Sequence, residues 1–129
     1  MHAYTLQDWT TIRGSSSALT ITQEEGGWLD LSAYQDVVFW VDGRSSTLTP
    51  TLTLQTAPSK DDALFMPLAS GVAMPVAGMS SPQVVSALML SASSPNVPLA
   101  RWVRWQLTAT AGTWDVTFRV LASANSPGM

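Results

Sequence analysis

The chain has no cysteine, a single histidine and few charged residues. The lack of cysteine excludes a disulfide framework, a thiolate zinc site and a thiol nucleophile. Only 12% of the 129 residues are charged, about half of the roughly 25% that is typical of globular domains. Hydrophobic residues make up 46%, a content that excludes disorder by composition. The sequence therefore indicates a folded domain whose surface is unusually poor in charge.

The charge distribution and the N-terminal segment exclude further classes of protein. The formal net charge is −3, and the six cationic residues, with one lysine among them, form no run, so we expect no nucleic-acid partner. The first residues lack the basic region and the apolar core of a signal peptide. No stretch of about 18 apolar residues is present, so we expect no membrane span or membrane partner.

A period of two dominates the sequence and predicts β-strands. Residues 47–56, 18–23, 101–109 and 114–120 alternate between apolar and polar side chains, as half-buried strands do. Pro50 lacks a backbone donor and predicts an edge or a bulge. Residues 36–42 are apolar on both faces, which predicts either a strand buried on two sides or a strand with one face covered by a partner.

The strands at the C-terminal end suggest a hairpin. Residues 101–109 and 114–120 are separated by a short segment with Gly112, which can supply the positive φ of a tight turn. Weaker strands are predicted at 4–9, 28–31, 63–68 and 84–90, and residues 67–99 otherwise indicate long Pro- and Met-rich loops.

Together these segments predict an all-β fold, a single antiparallel β-sandwich of the jelly-roll type with about eight strands. We assign residues 1–122 to this one domain and residues 123–129 to a short polar tail. The expected core comprises Leu19, Ile21, Val37, Phe39, Val41, Leu48, Leu52, Leu54, Val103, Trp105, Leu107, Val116, Phe118 and Val120.

The polar residues favour a protein that is not an enzyme and that has no cofactor or metal. His2 lies at the terminus, a poor place to hold the base of a Ser-His-Asp triad. The pairs Glu24-Glu25 and Asp61-Asp62 lie in predicted turns. They indicate solubility first and a calcium site second, since no Asp-rich calcium loop accompanies them.

The tryptophans point to a contact surface. Trp105 and Trp114 fall on apolar faces and are expected in the core, whereas Trp40 and Trp102 fall on the opposite faces of their strands. Exposed aromatic rings stack on sugars or anchor protein interfaces. The candidate interaction surface comprises Trp9, Trp28, Trp40, Trp102, Arg101, Arg104, Met74 and Met79. The alternative is that these tryptophans merely cover the ends of the sandwich.

Three segments resemble the galactose-binding-like, discoidin-type jelly-roll modules. Residues 28–41 resemble their Asp-Leu-Ser-x-Tyr segment with the apolar strand that follows it. Residues 54–62 look like the next strand and its Thr-Ser-x-Asp turn, and residues 100–107 are similar to their Ala-Arg-Tyr-Val-Arg-Trp strand. The resemblance implies a jelly roll and makes a glycan a possible partner, but it carries over no binding residue.

The same pattern looks like that of small phage proteins that decorate a capsid or build part of a tail. A short chain with its own Met1, no signal peptide and no catalytic domain suits that setting. We therefore expect a virion component that is assembled in the host cytoplasm, contacts capsid or tail proteins and associates with itself. The alternative function is a carbohydrate-binding module that uses exposed tryptophan platforms.

Overall fold

The structure is a computed structural model that describes residues 2–34, 36–48, 50–68, 72–74, 83–87 and 99–125. Short 3-10 helices cover Glu25–Gly27 and Asp62–Leu64. No α-helix occurs among the described residues. The strands are β1 (His2–Gly14), β2 (Thr20–Thr22), β3 (Leu29–Asp30), β4 (Asp36–Ser46), β5 (Thr51–Ala57), β6 (Met66–Pro67), β7 (Val72–Ala73), β8 (Gln83–Ala87), β9 (Trp102–Thr108) and β10 (Trp114–Asn125).

The strands form two antiparallel sheets. Sheet I has the order β1-β10-β4-β8, and sheet II has the order β2-β9-β5-β6. The two-residue strands β3 and β7 add to β9 and β5. Since β6 and β7 pair with opposite ends of β5, they act as one interrupted strand. Because β2 and β3 likewise pair with opposite ends of β9, the described residues form eight strands, four in each sheet, in the order of a jelly roll, and the predicted all-β sandwich is confirmed.

The predicted C-terminal hairpin is wrong, because its two strands lie in different sheets. The strand β9 pairs with β2, β3 and β5, whereas β10 pairs with β1 and β4. Gly112 does adopt a positive φ of 74°, but the segment around it crosses from one sheet to the other. Alternation along a strand determines which face is buried and carries no information about the hydrogen-bonding partner.

The path of the chain from β4 in sheet I to β5 in sheet II explains why Leu48 is exposed, although the sequence predicted it in the core. The backbone N–H of Thr47 still donates to the carbonyl of Asp115 in sheet I, and β5 of sheet II begins only after Pro50. Leu48 lies between these points, has a φ of 60° and is 53% exposed. It therefore does not belong to the core in which we expected it.

The C-terminal strand is longer than the alternating pattern suggested. The strand β10 runs to Asn125, and Ser123 pairs with Ala3 of β1 and Val38 of β4. Residues 123–125 thus belong to sheet I and not to the tail in which we placed them, and residues 126–129 lie outside the described part. The predicted strand at 84–90 corresponds to β8, and its last three positions are also outside the described residues.

The inward faces of the two sheets form one core. Trp105 of sheet II meets Phe118 of sheet I edge to face, with ring centroids 5.1 Å apart. The other expected core residues are buried, except for Leu48 and for Leu19 and Ile21, which are half-buried near the β2 edge. The residues that complete the core include Leu6, Leu31, Leu68, Met74, Trp114, Ala122 and Ala124.

Candidate interaction surfaces

The outer face of sheet I carries an exposed tryptophan. Trp40 of β4, Leu121 of β10 and Thr5 of β1 lie side by side in register, and Trp40 is 41% exposed. These residues surround a hollow of about 380 Å³, which we call the Trp40 hollow; its lining is Ala3, Tyr4, Thr5, Trp40, Leu121, Ala122 and Ser123. The Ser123 hydroxyl is buried there and has no hydrogen-bond partner within the described part of the chain.

Trp9 lies on the same outer face, beneath two arginines. The guanidinium carbons of Arg44 and Arg119 are each 4.9 Å from the centroid of its ring. Arg119 is also paired with Asp42, at 3.4 Å from Nε to Oδ2. The Trp9 ring is 37% exposed, but its stacking interactions are made with these guanidinium groups.

On the outer face of sheet II, Arg104 is the buried centre of a cluster of side chains. Its side chain is 4% exposed, because Trp28 and Phe65 cover it, with the guanidinium carbon 3.9 Å from the Phe65 centroid. Its Nε donates to Oε1 of Gln55 at 2.8 Å, and its Nη1 pairs with Asp62. We call these five residues the Arg104 cluster.

A chain of amides and hydroxyls extends from this cluster across the sheet. Gln55 donates to Gln106 at 3.2 Å, and Gln106 donates to the hydroxyl of Thr22 at 3.0 Å. The bonds link β5, β9 and β2, so the predicted polar outer face of this sheet is internally hydrogen-bonded.

Trp102 is half-buried beside the Arg104 cluster. Lys60 Nζ and the Arg101 guanidinium carbon lie 4.5 and 5.1 Å from its ring centroid. Arg101 also pairs with Asp30 at 3.2 Å. The backbone N–H of Ser32, and secondly Arg101, hold the pKa of Asp30 below its ordinary value, because both favour the carboxylate.

The sequence grouped eight residues into one surface, and the structure divides them. Trp9 and Trp40 lie on the outer face of sheet I, whereas Trp28, Trp102, Arg101 and Arg104 lie on the outer face of sheet II. Met74 is 2% exposed and belongs to the core, so its assignment to a contact surface is wrong. Its backbone N–H bonds to the carbonyl of Pro50, and its side chain belongs to the core between the two sheets. Met79 lies outside the described residues.

Several of the other polar residues considered from the sequence have structural partners. The ring of His2 contacts that of Tyr34, whose hydroxyl bonds to Tyr4, and this bond raises the pKa of the Tyr34 phenol. Asp61 accepts a bond from the backbone N–H of Ala63, and Glu25 lies 4.0 Å from Lys60. Within the described ranges no three carboxylate or histidine side chains come together to hold a metal ion. Nor does any helix in those ranges have the length and hydropathy to span a membrane.

An open seam between the two sheets forms a second concave site. The edge strands β1 and β2 leave a cleft of about 370 Å³, which we call the seam cleft; its lining is Gln7, Thr10, Ile12, Ile21, Thr22, Gln23, Glu24, Gly27 and Trp105. Gln23 is 5% exposed, and its Nε2 donates to the carbonyls of Leu6 and Gly27 at 2.8 and 2.9 Å.

This cleft was not predicted from the sequence, although one signal for it was present. The alternation that turns Leu19 and Ile21 inward also turns Gln23 inward, and a buried amide requires hydrogen-bond partners. The strand β1 has bulges between Thr5 and Gln7 and between Gln7 and Thr10. Each bulge changes which alternate residues point inward, so simple alternation could not predict which side chains of β1 line the cleft.

Known proteins resemble this chain in fold and not in sequence. No family model matches the chain, and no curated protein matches it. Solved structures of infectious bursal disease virus do match, namely a chain of its Gt strain with a TM-score of 0.55 and a chain of its Gx strain with a TM-score of 0.53. Both are 12% identical to this chain, and each match covers 98% of this chain and 33% of the viral chain.

The VP2 protein of the same virus, solved in derived T=1 particles, gives a similar result. Its TM-score is 0.54 at 12% identity, with 98% of this chain and 32% of the VP2 chain covered. This chain therefore spans about a third of the length of the viral chains that it matches. At such low identity the similarity demonstrates a shared fold, a β-sandwich of the type found in these virus structures. The discoidin-type resemblance stays a prediction.

Proposed function

We propose that this protein is a structural component of a virus particle, and more specifically a phage capsid decoration, accessory or tail protein that acts through protein–protein contacts. The observation that carries the proposal is the fold similarity to chains of virus structures, which extends over 98% of this chain. Under this proposal the protein performs no catalysis, and its place of action is the virion.

The Trp40 hollow is the surface that we assign to these contacts. The apolar side chains of Trp40 and Leu121 lie in the centre of the outer face of sheet I, where a soluble monomer would normally place polar residues. Interfaces are enriched in tryptophan and depleted of charge at their core. The face of β4 opposite the core is thus the one that a partner would cover.

A particle-incorporation experiment tests the proposal. The gene is expressed together with its neighbouring genes, the particles are separated on a density gradient, and the chain is quantified by mass spectrometry. We expect the chain to migrate with the particles in a fixed ratio. A chain that stays at the top of the gradient while particles form would contradict the proposal.

Matched variants assign the contact to one face. Trp40→Ser should lower incorporation at least about tenfold, because central interface tryptophans often contribute 2 kcal/mol or more. Leu64→Ser is the control, since Leu64 is 44% exposed in the Asp62–Leu64 segment, away from sheet I. Photo-crosslinking from position 5 then identifies a capsid or a tail protein as the neighbour.

The second candidate is a carbohydrate-binding module with tryptophan platforms. Trp40 is the ring that would serve as the platform, because the other three candidate tryptophans are already stacked within the protein. The rings of Trp9 and Trp102 stack with cationic side chains, and that of Trp28 packs against Phe65 at 4.8 Å. A glycan array probed with the wild type and with Trp40→Ser tests it. Glycan binding that Trp40→Ser removes would favour the platform function.

A further inference from the structure

One hydroxyl of the Trp40 hollow has nothing to bind within the described part of the protein. Ser123 is 9% exposed, and its Oγ is buried without a hydrogen-bond partner, an arrangement that destabilises a fold unless something else supplies the partner. We propose that the hollow receives a tyrosine side chain of a partner protein, whose phenol hydroxyl bonds to Ser123. This inference rests on the virion proposal for the identity of the partner and adds the group by which that partner binds.

The position of Ser123 in β10 directs its side chain toward the hollow. Ser123 and Leu121 point to the outer face of sheet I, whereas Ala122 between them is buried in the core. The residues opposite Ser123 are Ala3 and Val38, and neither has a polar side chain. Rotation about χ1 alone moves the Ser123 hydroxyl among its staggered positions, so it can turn to meet a group in the hollow.

The lining of the hollow favours a neutral aromatic ring. No charged side chain is part of it, so a charged anchor would lose its hydration without compensation. The volume of about 380 Å³ exceeds that of the cavity, roughly 150 Å³, which encloses a benzene molecule. Trp40 and Leu121 offer apolar surface to such a ring, and aromatic pairs attract each other in offset or edge-to-face arrangements.

Among the aromatic side chains, tyrosine matches the hollow best. Phenylalanine would leave the Ser123 hydroxyl without a partner, and tryptophan can only donate a hydrogen bond. A phenol hydroxyl both donates and accepts, so it pairs with a serine hydroxyl in either direction. The two tyrosines of this chain, Tyr4 and Tyr34, bond to each other through their hydroxyls. A second copy would have to break that bond, which favours a different protein as the partner.

Arg44 supplies a positive charge on the same outer face. Its side chain is exposed, stacks with Trp9 and makes no ion pair with a described residue, whereas Arg119 is paired with Asp42. Along β4, Trp40 and Arg44 are separated by roughly 13 Å, at about 3.3 Å per residue. A partner surface that presents an aspartate or glutamate at this distance from its tyrosine therefore complements both groups.

Side-chain analogues test the tyrosine anchor by nuclear magnetic resonance on the isotopically labelled chain. The probes are p-cresol, which corresponds to the side chain of tyrosine, and toluene, which corresponds to that of phenylalanine. We expect p-cresol to shift the Trp40 indole N–H and the Ser123 amide signals with saturation. The absence of a saturable shift with p-cresol would overturn the proposal, as would p-cresol binding that Trp40→Ser leaves intact.

Ser123→Ala is the decisive variant, because it removes only the unpartnered hydroxyl and the fold is therefore retained. The ratio of p-cresol affinity to toluene affinity should fall about fivefold in this variant, as expected for one hydrogen bond between neutral groups. Thr117→Val is the control, since the Thr117 hydroxyl bonds to Thr11 outside the hollow, and it should leave the ratio unchanged. A ratio that Ser123→Ala does not alter would overturn the proposal.

Particle incorporation separates this inference from the virion proposal. In the density-gradient assay, Ser123→Ala should lower incorporation about fivefold, and Arg44→Gln should lower it about threefold at low salt. Arg101→Gln, on the outer face of sheet II, should have no effect. Incorporation that Trp40→Ser lowers and Ser123→Ala does not would overturn the tyrosine anchor alone. A chain that binds p-cresol through Ser123 but never enters particles would contradict the virion proposal alone.

Discussion

At the residue scale, the side chain of Arg104 connects separate segments on the outer face of sheet II. It bonds to Gln55 in β5 and to Asp62 in a 3-10 helix, and it packs under Trp28 and Phe65. Its burial on an outer face is tolerated because its charge is paired and its methylene stem is covered. The cluster therefore fixes the loops that flank β3 and β6.

Arg104 and Arg101 provide a matched pair for a stability measurement. We expect Arg104→Ala to lower the free energy of unfolding by about 2–3 kcal/mol, through lost packing and a lost hydrogen bond to a charged group. Arg101→Ala should cost about 0.5 kcal/mol or less, because Arg101 is 53% exposed and its pair with Asp30 is solvated. Urea unfolding measures both, and equal losses would contradict the role given to Arg104.

At the element scale, the assignment of β9 and β10 to different sheets decides what each can contact. The outer face of β10 carries Leu121 and Ser123 beside Trp40, whereas the outer face of β9 carries Trp102 and Arg104. A hairpin would have placed all of these side chains in one sheet. The separation explains why the candidate tryptophans form two surfaces.

Engineered disulfides test this connectivity, and the native chain has no cysteine to interfere. Thr11 and Thr117 are register partners of β1 and β10, and their hydroxyl oxygens lie 2.8 Å apart. Thr11→Cys with Thr117→Cys should oxidise fully and stabilise the protein by about 2–4 kcal/mol. Gln106→Cys with Thr117→Cys, the pair that a hairpin would align, should stay reduced. Mass spectrometry of the oxidised variants provides the readout, and the reverse pattern would contradict the jelly-roll order.

At the scale of the whole molecule, the two sheets share one core. The rings of Trp105 and Phe118 meet across the sandwich, and among the described residues neither inward face has another layer to pack on. Burial of both faces against each other makes the stability of each sheet depend on the other. The outer faces are therefore left available for contacts without a loss of core packing.

A core substitution tests this shared stability. Phe118→Ala should cost about 3–5 kcal/mol, and the slowest-exchanging amides of both sheets should lose the same free energy of protection. Leu64→Ala, at an exposed position, should change the free energy of protection by about 0.5 kcal/mol or less. Loss of protection in sheet I alone would show that the sheets unfold independently. Hydrogen exchange at each amide is the measurement.

Part of the candidate site was predictable from single residues. The alternation in β4 and β9 correctly turned Trp40 and Trp102 outward and Trp105 inward, because side-chain direction in a strand depends only on position. Met74 and Leu48 were misplaced because both lie at chain crossings, where no period applies. The seam cleft and the burial of Arg104 arise from segments far apart in the sequence.

The sequence by itself determined the class of the fold, the inward side chains and the scarcity of surface charge, since each depends on composition or on a period of two. Only the tertiary structure decided which strands pair, which tryptophans share a face and where the two concave sites lie. Strand pairing is a long-range choice among similar amphipathic strands, and the packing of the whole core makes that choice. Residues such as Gln7, Glu24 and Trp105 become neighbours only because the strands pair in this order.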